Sequence, residues 1–447
     1  MLRFSKTFLF LLFLAFALRL SVTWWSLNFR ENSDVLRYKD WARIAYLYGF
    51  ADTYKTDHLT FGTLPNNQPP GSLFMLYPAY ITELQVAKIY GKITKTKPGA
   101  NLWINGPLLN IFLRLPSIIA DILLGIFLYI LVKKKKSESA GLLAASFFLF
   151  NPVILYNSAF WGQMDALNNL AFFIAIYFLI EKKLFWAVLF YCFSLYIKMS
   201  LLPALPVFLL LLFIQKSKNR AKLIFSFIGS FSIIFFLTFF IAKNPVLWLW
   251  NFLIHNAAGE MQNITNFACN FWWFVVHPTI KIGKATNLFS FSQVSLIHMP
   301  SLAYTFLGLR VHVWGYLLFF LSITPFLIFL YFRKNHEVTP ARIALILSLT
   351  MLFAFLFLPT MHERYMYPAF PLLALSIGLQ NKYKLIYILL SLLNLINLYI
   401  VWHPMMFSFF PYALMSNWIF QWFISCAVVI VSVYFYIRSF TAIIAHE

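Results

Sequence analysis

Acidic residues are scarce in this chain, with 14 Asp and Glu against 35 Lys and Arg in 447 residues. The three cysteines, Cys192, Cys269 and Cys426, form no spaced pair and two lie inside apolar spans, so neither a disulfide framework nor a zinc site is indicated. The alternating pattern of a membrane barrel is missing, as are internal repeats, a Gly-rich phosphate loop and a low-complexity tail. No His-Glu-x-x-His motif occurs, because His362-Glu363 runs on into Arg364, Tyr365 and Met366. A net charge of +21 raises the question of nucleic acid, but the bases fall in short clusters between apolar spans, where they read as topology signals. No nucleic-acid partner is expected.

What is present is apolar surface. The chain is 61% hydrophobic and 20% aromatic, more than a soluble domain of this length could bury. Several runs reach the roughly 20 residues a helix needs to cross about 30 Å of hydrocarbon while satisfying its own backbone. The expected fold is therefore an all-α polytopic membrane protein, a single domain over 1–447. About twelve spans are expected, near 7–27, 107–132, 140–158, 166–180, 184–198, 200–214, 223–242, 311–332, 341–359, 366–380, 385–402 and 417–437. Basic links at Lys133 to Lys136, Lys182-Lys183, 216–222, Arg333-Lys334 with Arg342, and Lys382 with Lys384 place both termini in the cytoplasm. The stretch 184–214 reads either as a hairpin or as one long bent helix. The hairpin keeps the basic links on one side.

The opposite face receives long loops at 28–106 and 243–310 and short turns near 159–165, 360–365 and 403–416. In the first loop, Val35, Tyr38, Trp41, Ala45 and Tyr48 share one helical face, with Arg37, Lys39, Asp40 and Arg43 on the others. That is the pattern of an interfacial helix. The stretch 83–95 is a second, more basic candidate. Between them, Gln68-Pro69-Pro70 fixes two φ angles and marks an ordered turn.

In so acid-poor a chain, an Asp at the mouth of a membrane bundle is a functional candidate. Asp34, beside Asn32 and Ser33, serves equally as an N-cap or as a catalytic base. His362-Glu363-Arg364 is either a set of interfacial anchors or a source of phosphate donors, since guanidinium grips phosphate with two prongs. Trp161-Gly162-Gln163-Met164-Asp165 is turn chemistry or a sugar-binding turn. Arg114 and Asp121, seven apart on one helix face, form a structural contact or line a cavity, and Lys198 ends a span.

These residues, taken together, resemble the GT-C superfamily of membrane glycosyltransferases that use polyprenyl-phosphate sugars. The likeness is nearest to dolichyl-phosphate-glucose glucosyltransferases and to bacterial relatives of GPI-anchor mannosyltransferases. It rests on Asp34 with Trp41, on Gln68-Pro69-Pro70, on Asn151-Pro152 through Gln163 and Asp165, on Tyr196-Ile197-Lys198, and on His362-Glu363-Arg364. It covers 1–380 as a catalytic core. The helices of 381–447 are additional and carry nothing that matches.

The resemblance implies transfer of a hexose, mannose or glucose, from a polyprenyl-phosphate donor to a hydroxyl of a glycan, lipid-linked or protein acceptor at the extracytoplasmic face of a bacterial plasma membrane. Asp34 would be the general base. Arg364, His362 and Lys198 would bind the donor phosphate, with Trp41, Gln68, Pro69, Gln163, Asp165, Glu363 and Arg114 lining the site. A lipid phosphate leaves without help from a metal, so no metal and no cofactor is expected. The expected partners are the donor, the acceptor and membrane lipids. A transporter or flippase of lipid-linked sugars, or a glycan polymerase or ligase, are the alternatives. The flippase would favour repeated halves and broken midplane helices.

Overall fold

The computed structural model describes residues 4–29, 33–60, 63–95, 107–214, 220–258, 263–275, 305–333, 338–402 and 417–444. Asn32, Lys216, Lys334, the turn at 403–416 and much of the 243–310 loop lie outside them.

The chain is all-α and polytopic. The twelve apolar segments all form helices, but among the described residues seven helices are long and apolar enough to cross a membrane singly. These are α1 (Lys6–Ser26), α4 (Pro107–Lys135), α9 (Arg220–Thr238), α11 (Val311–Phe332), α12 (Pro340–Phe357), α14 (Lys384–Val401) and α15 (Trp418–Ile444). The expected span at 140–158 is α5 (Glu138–Leu149) followed by a helical piece over Pro152–Trp161, bent by 47° at Phe150-Asn151. The other four are short: α6 (Asp165–Ile180), α7 (Leu184–Ile197), α8 (Leu205–Ile214) and α13 (Ala369–Gln380). Between α7 and α8 the chain breaks at Lys198, whose backbone is extended, and runs through a 3-10 stretch over Met199–Ala204. The loop expected at 28–106 is helical over more of its length than the two interfacial candidates at 34–48 and 83–95. It holds α2 (Ser33–Leu47) and α3 (Pro70–Thr94), and a further short helix, α10 (Pro245–Ala258), follows α9. A two-strand hairpin pairs Thr305–Phe306 with Leu309–Arg310 ahead of α11.

Helix ends follow local chemistry. Ser5 caps α1 and Ser137 caps α5, each accepting a backbone N–H, while Thr339 caps α12 with Pro340 at its first position. Lys133, Lys134 and Lys135 occupy the last turn of α4, where the helix dipole favours cations, and Lys133 pairs with Glu138 at 2.7 Å.

The contacts divide the chain into two compact units. The first comprises Met1–Phe127, Ile154–Leu201 and Arg220–Asn256. Its core joins α6 to α7, α7 to α9, and α2 to α3. Close approach is built in at Gly71, where a Cβ would lie 2.6 Å from the Tyr196 carbonyl oxygen. The second comprises Leu128–Val153, Leu202–Asn219 and Ala257–Glu447, centred on α12, in which every residue from Ile343 to Leu356 is buried. There Gly378 of α13 meets Ala144 of α5, so small residues let these helices touch.

The expected polar face of α2 is not in water. Val35, Tyr38, Trp41 and Ala45 are buried as the pattern requires, but Lys39, Asp40 and Arg43 are buried too, and Tyr48 is exposed. Asp40 is the fastening of the loop. It accepts from Arg43, from the Thr60 backbone N–H at 2.8 Å, and from the Thr60 and Thr63 hydroxyls, while Arg43 reaches the His58 carbonyl at 2.6 Å. A carboxylate with this many donors is a structural tie.

Candidate functional site

The residues singled out by sequence fall into two groups, one in each unit. In the first unit, Gln163 donates through Nε2 to the Asp34 carboxylate, and the Tyr38 hydroxyl donates to its Oε1 at 3.0 Å. Both ends of the amide are thereby fixed. Asp34 lies within the first turn of α2, where the dipole favours a carboxylate, and Arg37 is 3.7 Å away. A π-helical turn over Tyr156–Trp161 delivers Gln163, and Gly162 ends that turn at φ +88°. A side chain at 162 would be strained by that conformation, and its Cβ would press within 2.9 Å of Arg114 Nε.

Two residues further on, Asp165 opens α6 and is paired with the buried Lys198 ammonium. Asn157 Nδ2 donates to the Asp165 carboxylate at 3.3 Å and Asn169 Nδ2 to its carbonyl at 2.6 Å. Asp165 can only accept in these contacts, so both amide oxygens face elsewhere, and both are buried with no partner among the described residues. Asn168 donates to Ser200 at 3.0 Å and its own oxygen is likewise open. Arg114, 3% exposed, donates to the carbonyls of Asn110 and Phe160.

Asp121, read with Arg114 as either a structural contact or cavity lining, receives Arg19 Nε at 3.1 Å and the Ser158 hydroxyl at 2.6 Å on its carboxylate, at 0% exposure for Arg19 and Asp121 alike. Trp41 and the Gln68-Pro69-Pro70 element serve the loop itself. Trp41 donates to the Leu64 carbonyl at 2.8 Å, the Gln68 carbonyl accepts from Tyr54, and Pro69 and Pro70 begin α3. The Gln68 side-chain oxygen is buried and open.

In the second unit, Glu363 is 1% exposed and lies 2.7 Å from Arg364 Nη1 and 3.7 Å from His362 Nδ1. Burial works to raise this carboxyl, but the Arg364 guanidinium and the His362 ring outweigh it and hold it at about 2. Its folded value is depressed, so the contribution to stability is complete above the ordinary carboxylate range, about 4.3, and is lost as pH falls towards 2. The thermal midpoint of the full chain is expected to drop across that window, and the drop is expected to shrink in Glu363→Gln, as read by scanning fluorimetry in detergent.

The loop carrying these residues is held by groups the sequence reading passed over. Asn394 donates to the Glu363 carbonyl at 2.7 Å, Asn397 bridges Phe267 and Cys269, and Asn266 pairs with the backbone of Thr360 and Met361. Asn151, at the α5 bend, donates to Tyr387 at 2.8 Å and accepts from Ser391 at 2.7 Å. The first helix after residue 380, α14, thus fastens this loop and the α5 bend. The available signal was the spacing of Ser391, Asn394 and Asn397 along one face of an apolar helix. Among the described residues, no three His, Cys, Asp or Glu side chains gather as a metal site.

Comparison with known proteins bears on what this geometry is for. No curated protein matches the chain. Residues 98–280 match the family model of the GPI transamidase subunit PIG-U, a stretch of less than half the chain that contains Arg114, Gln163, Asp165 and Lys198. A transamidase subunit is not a hexosyltransferase. The expectations of hexose transfer, of a polyprenyl-phosphate sugar donor with a glycan acceptor, and of the flippase or polymerase alternatives are overturned by this match. The chain is a multi-pass membrane protein similar over 98–280 to GPI transamidase subunit PIG-U.

Proposed function

We propose that this chain is a lipid-recognising membrane subunit of an enzyme assembly that handles a GPI-type glycolipid, with the covalent chemistry supplied by another chain. The observation that carries this reading is the set of open, buried amide oxygens on Asn157, Asn168 and Asn169 around the Asp165–Lys198 pair, within the stretch similar to the transamidase subunit. Open acceptors call for donors, which the hydroxyls of a glycan headgroup supply in number. Asp34 and Gln163 add a further acceptor and donor. Lys198 and Arg114 supply positive charge for the phosphodiester that joins headgroup to lipid. Arg364, oriented by ionised Glu363 and flanked by His362, is assigned the same role in the second unit.

The test uses the full chain in nanodiscs, with phosphatidylinositol, its glycosylated form and phosphatidylcholine competing as ligands by native mass spectrometry. The glycosylated lipid should be retained about tenfold over phosphatidylinositol, and Asn169→Leu and Gln163→Leu should each erase most of that preference, as loss of one or two buried hydrogen bonds implies. Equal retention of the two lipids would overturn the reading. On the same reading the cluster opens to the extracytoplasmic face, opposite the basic end of α4. Lys55→Cys and Lys135→Cys should label from opposite sides of sealed vesicles, and labelling from one side would overturn the assigned face.

A further inference from the structure

The C-terminal half of α3 is not used by the glycolipid reading, and its surface is divided in an informative way. At about 100° per residue, the helix presents three sectors. Tyr80, Leu84 and Gly91 are buried against the rest of the unit. Val86, Ile89, Tyr90 and Ile93 stand out at 37%, 57%, 64% and 75% exposure and share a second sector. Lys88 and Lys92 are exposed on a third, about 130° from the apolar one, and Lys95 at the helix end is exposed as well. None of the three lysines has an acidic partner among the described residues. Glu83, the acid of this stretch, is buried, and burial raises its carboxyl to about 7, so it cancels little of their charge.

A sector of four exposed apolar side chains beside a sector of lysines, on a helix fixed to protein along its remaining side, matches a boundary between hydrocarbon and headgroups. We infer that residues 84–95 lie in the plane of the membrane, with Val86, Ile89, Tyr90 and Ile93 among the acyl chains and Lys88, Lys92 and Lys95 holding the phosphates of anionic phospholipids. The charge selects the lipid: an ammonium gains from an anionic headgroup and gains little from a zwitterionic one. Tyr90 sits at the depth where aromatic side chains with a polar tip are favoured. A membrane span, α11, exposes Phe320 and Leu321 in the same way but contains no lysine or arginine, so its apolar surface carries no such selection.

The test places a fluorophore on Ile93→Cys in the full chain, with Cys192, Cys269 and Cys426 replaced by alanine. Reconstitution is into vesicles of phosphatidylcholine and phosphatidylglycerol at fixed composition, with either the one lipid or the other brominated in its acyl chains. Phosphatidylglycerol should occupy the neighbouring positions about fivefold over phosphatidylcholine, the factor expected for even one lysine at the surface. High salt, or Lys88→Gln with Lys92→Gln and Lys95→Gln, should bring the ratio near one. A label on Leu321→Cys, in the middle of α11, should report equal quenching by both lipids. Absence of quenching at position 93 would mean that water or a protein covers this face, and equal quenching by both lipids would mean an apolar contact without headgroup choice. Either result overturns the inference.

Discussion

Asp121→Ala is expected to cost about 3–5 kcal/mol of stability, because it leaves the Arg19 guanidinium buried without its carboxylate. Arg19 Nη1 would keep the Ala15 carbonyl at 3.1 Å, and Ser158 would lose the acceptor it reaches at 2.6 Å. One carboxylate thus ties α1, α4 and the π-helical turn, and its removal unbinds all three. The measurement is the fraction of chain that stays monodisperse on size exclusion after heating. The companion variant separates charge from packing: Arg19→Met with Asp121→Leu removes both ions and should recover most of the loss, since a buried pair replaced by apolar groups of similar size is often neutral. If Asp121→Ala heats like the unmodified chain, the tie is not structural.

That contact also shows where the sequence stopped being readable. The twelve expected apolar helices could be read from span length and polarity, because a backbone in hydrocarbon must satisfy itself and a helix does so locally. The apolar α10, by contrast, fell inside what reads as a long loop. The seven-residue spacing of Arg114 and Asp121 put them on one face, which is a statement about α4 alone. The partner of Asp121 is Arg19 on α1, 102 positions earlier, a separation that no spacing within α4 registers. Asp40 was similarly hidden: it stood on what the periodicity of α2 marked as a polar face, and the loop residues Thr60 and Thr63 that bury it are distant in sequence. Asn394 and Asn397 went unnoticed because amides do not stand out against the charged motifs that direct attention.

The functional error has a different cause. The residues behind the glycosyltransferase resemblance, Asp34, Gln163, Asp165, Lys198 and Arg364, are polar groups at helix ends or in the turns between helices. Holding a glycosylated phospholipid calls for the same acceptors and cations as transferring its sugar. Geometry at the level of residue types does not separate the two tasks. The similarity over 98–280 to a transamidase subunit does, and Asp34, Trp41, Gln68 and the His362 loop lie outside that stretch.

The Asp165–Lys198 pair offers the converse experiment. Lys198→Met alone strands a buried carboxylate, and Asp165→Asn alone strands a buried ammonium, so each single change should cost stability and reveal little about role. The double variant Asp165→Asn/Lys198→Met removes both charges together. An asparagine at 165 can still accept from Asn157 through its side-chain oxygen, and the backbone carbonyl that Asn169 uses is untouched. Stability should therefore return close to that of the unmodified chain. Glycolipid binding should not return, because the ammonium assigned to the phosphodiester is gone. A charge-assisted hydrogen bond is worth about 1.5–3 kcal/mol, so affinity should fall by about 10- to 100-fold while phosphatidylcholine occupancy is unchanged. The Arg19→Met/Asp121→Leu chain, equally stripped of a buried pair, should bind the glycolipid normally. If the Lys198 double variant binds as well as that control does, Lys198 is a structural counter-ion and the phosphodiester must be held elsewhere.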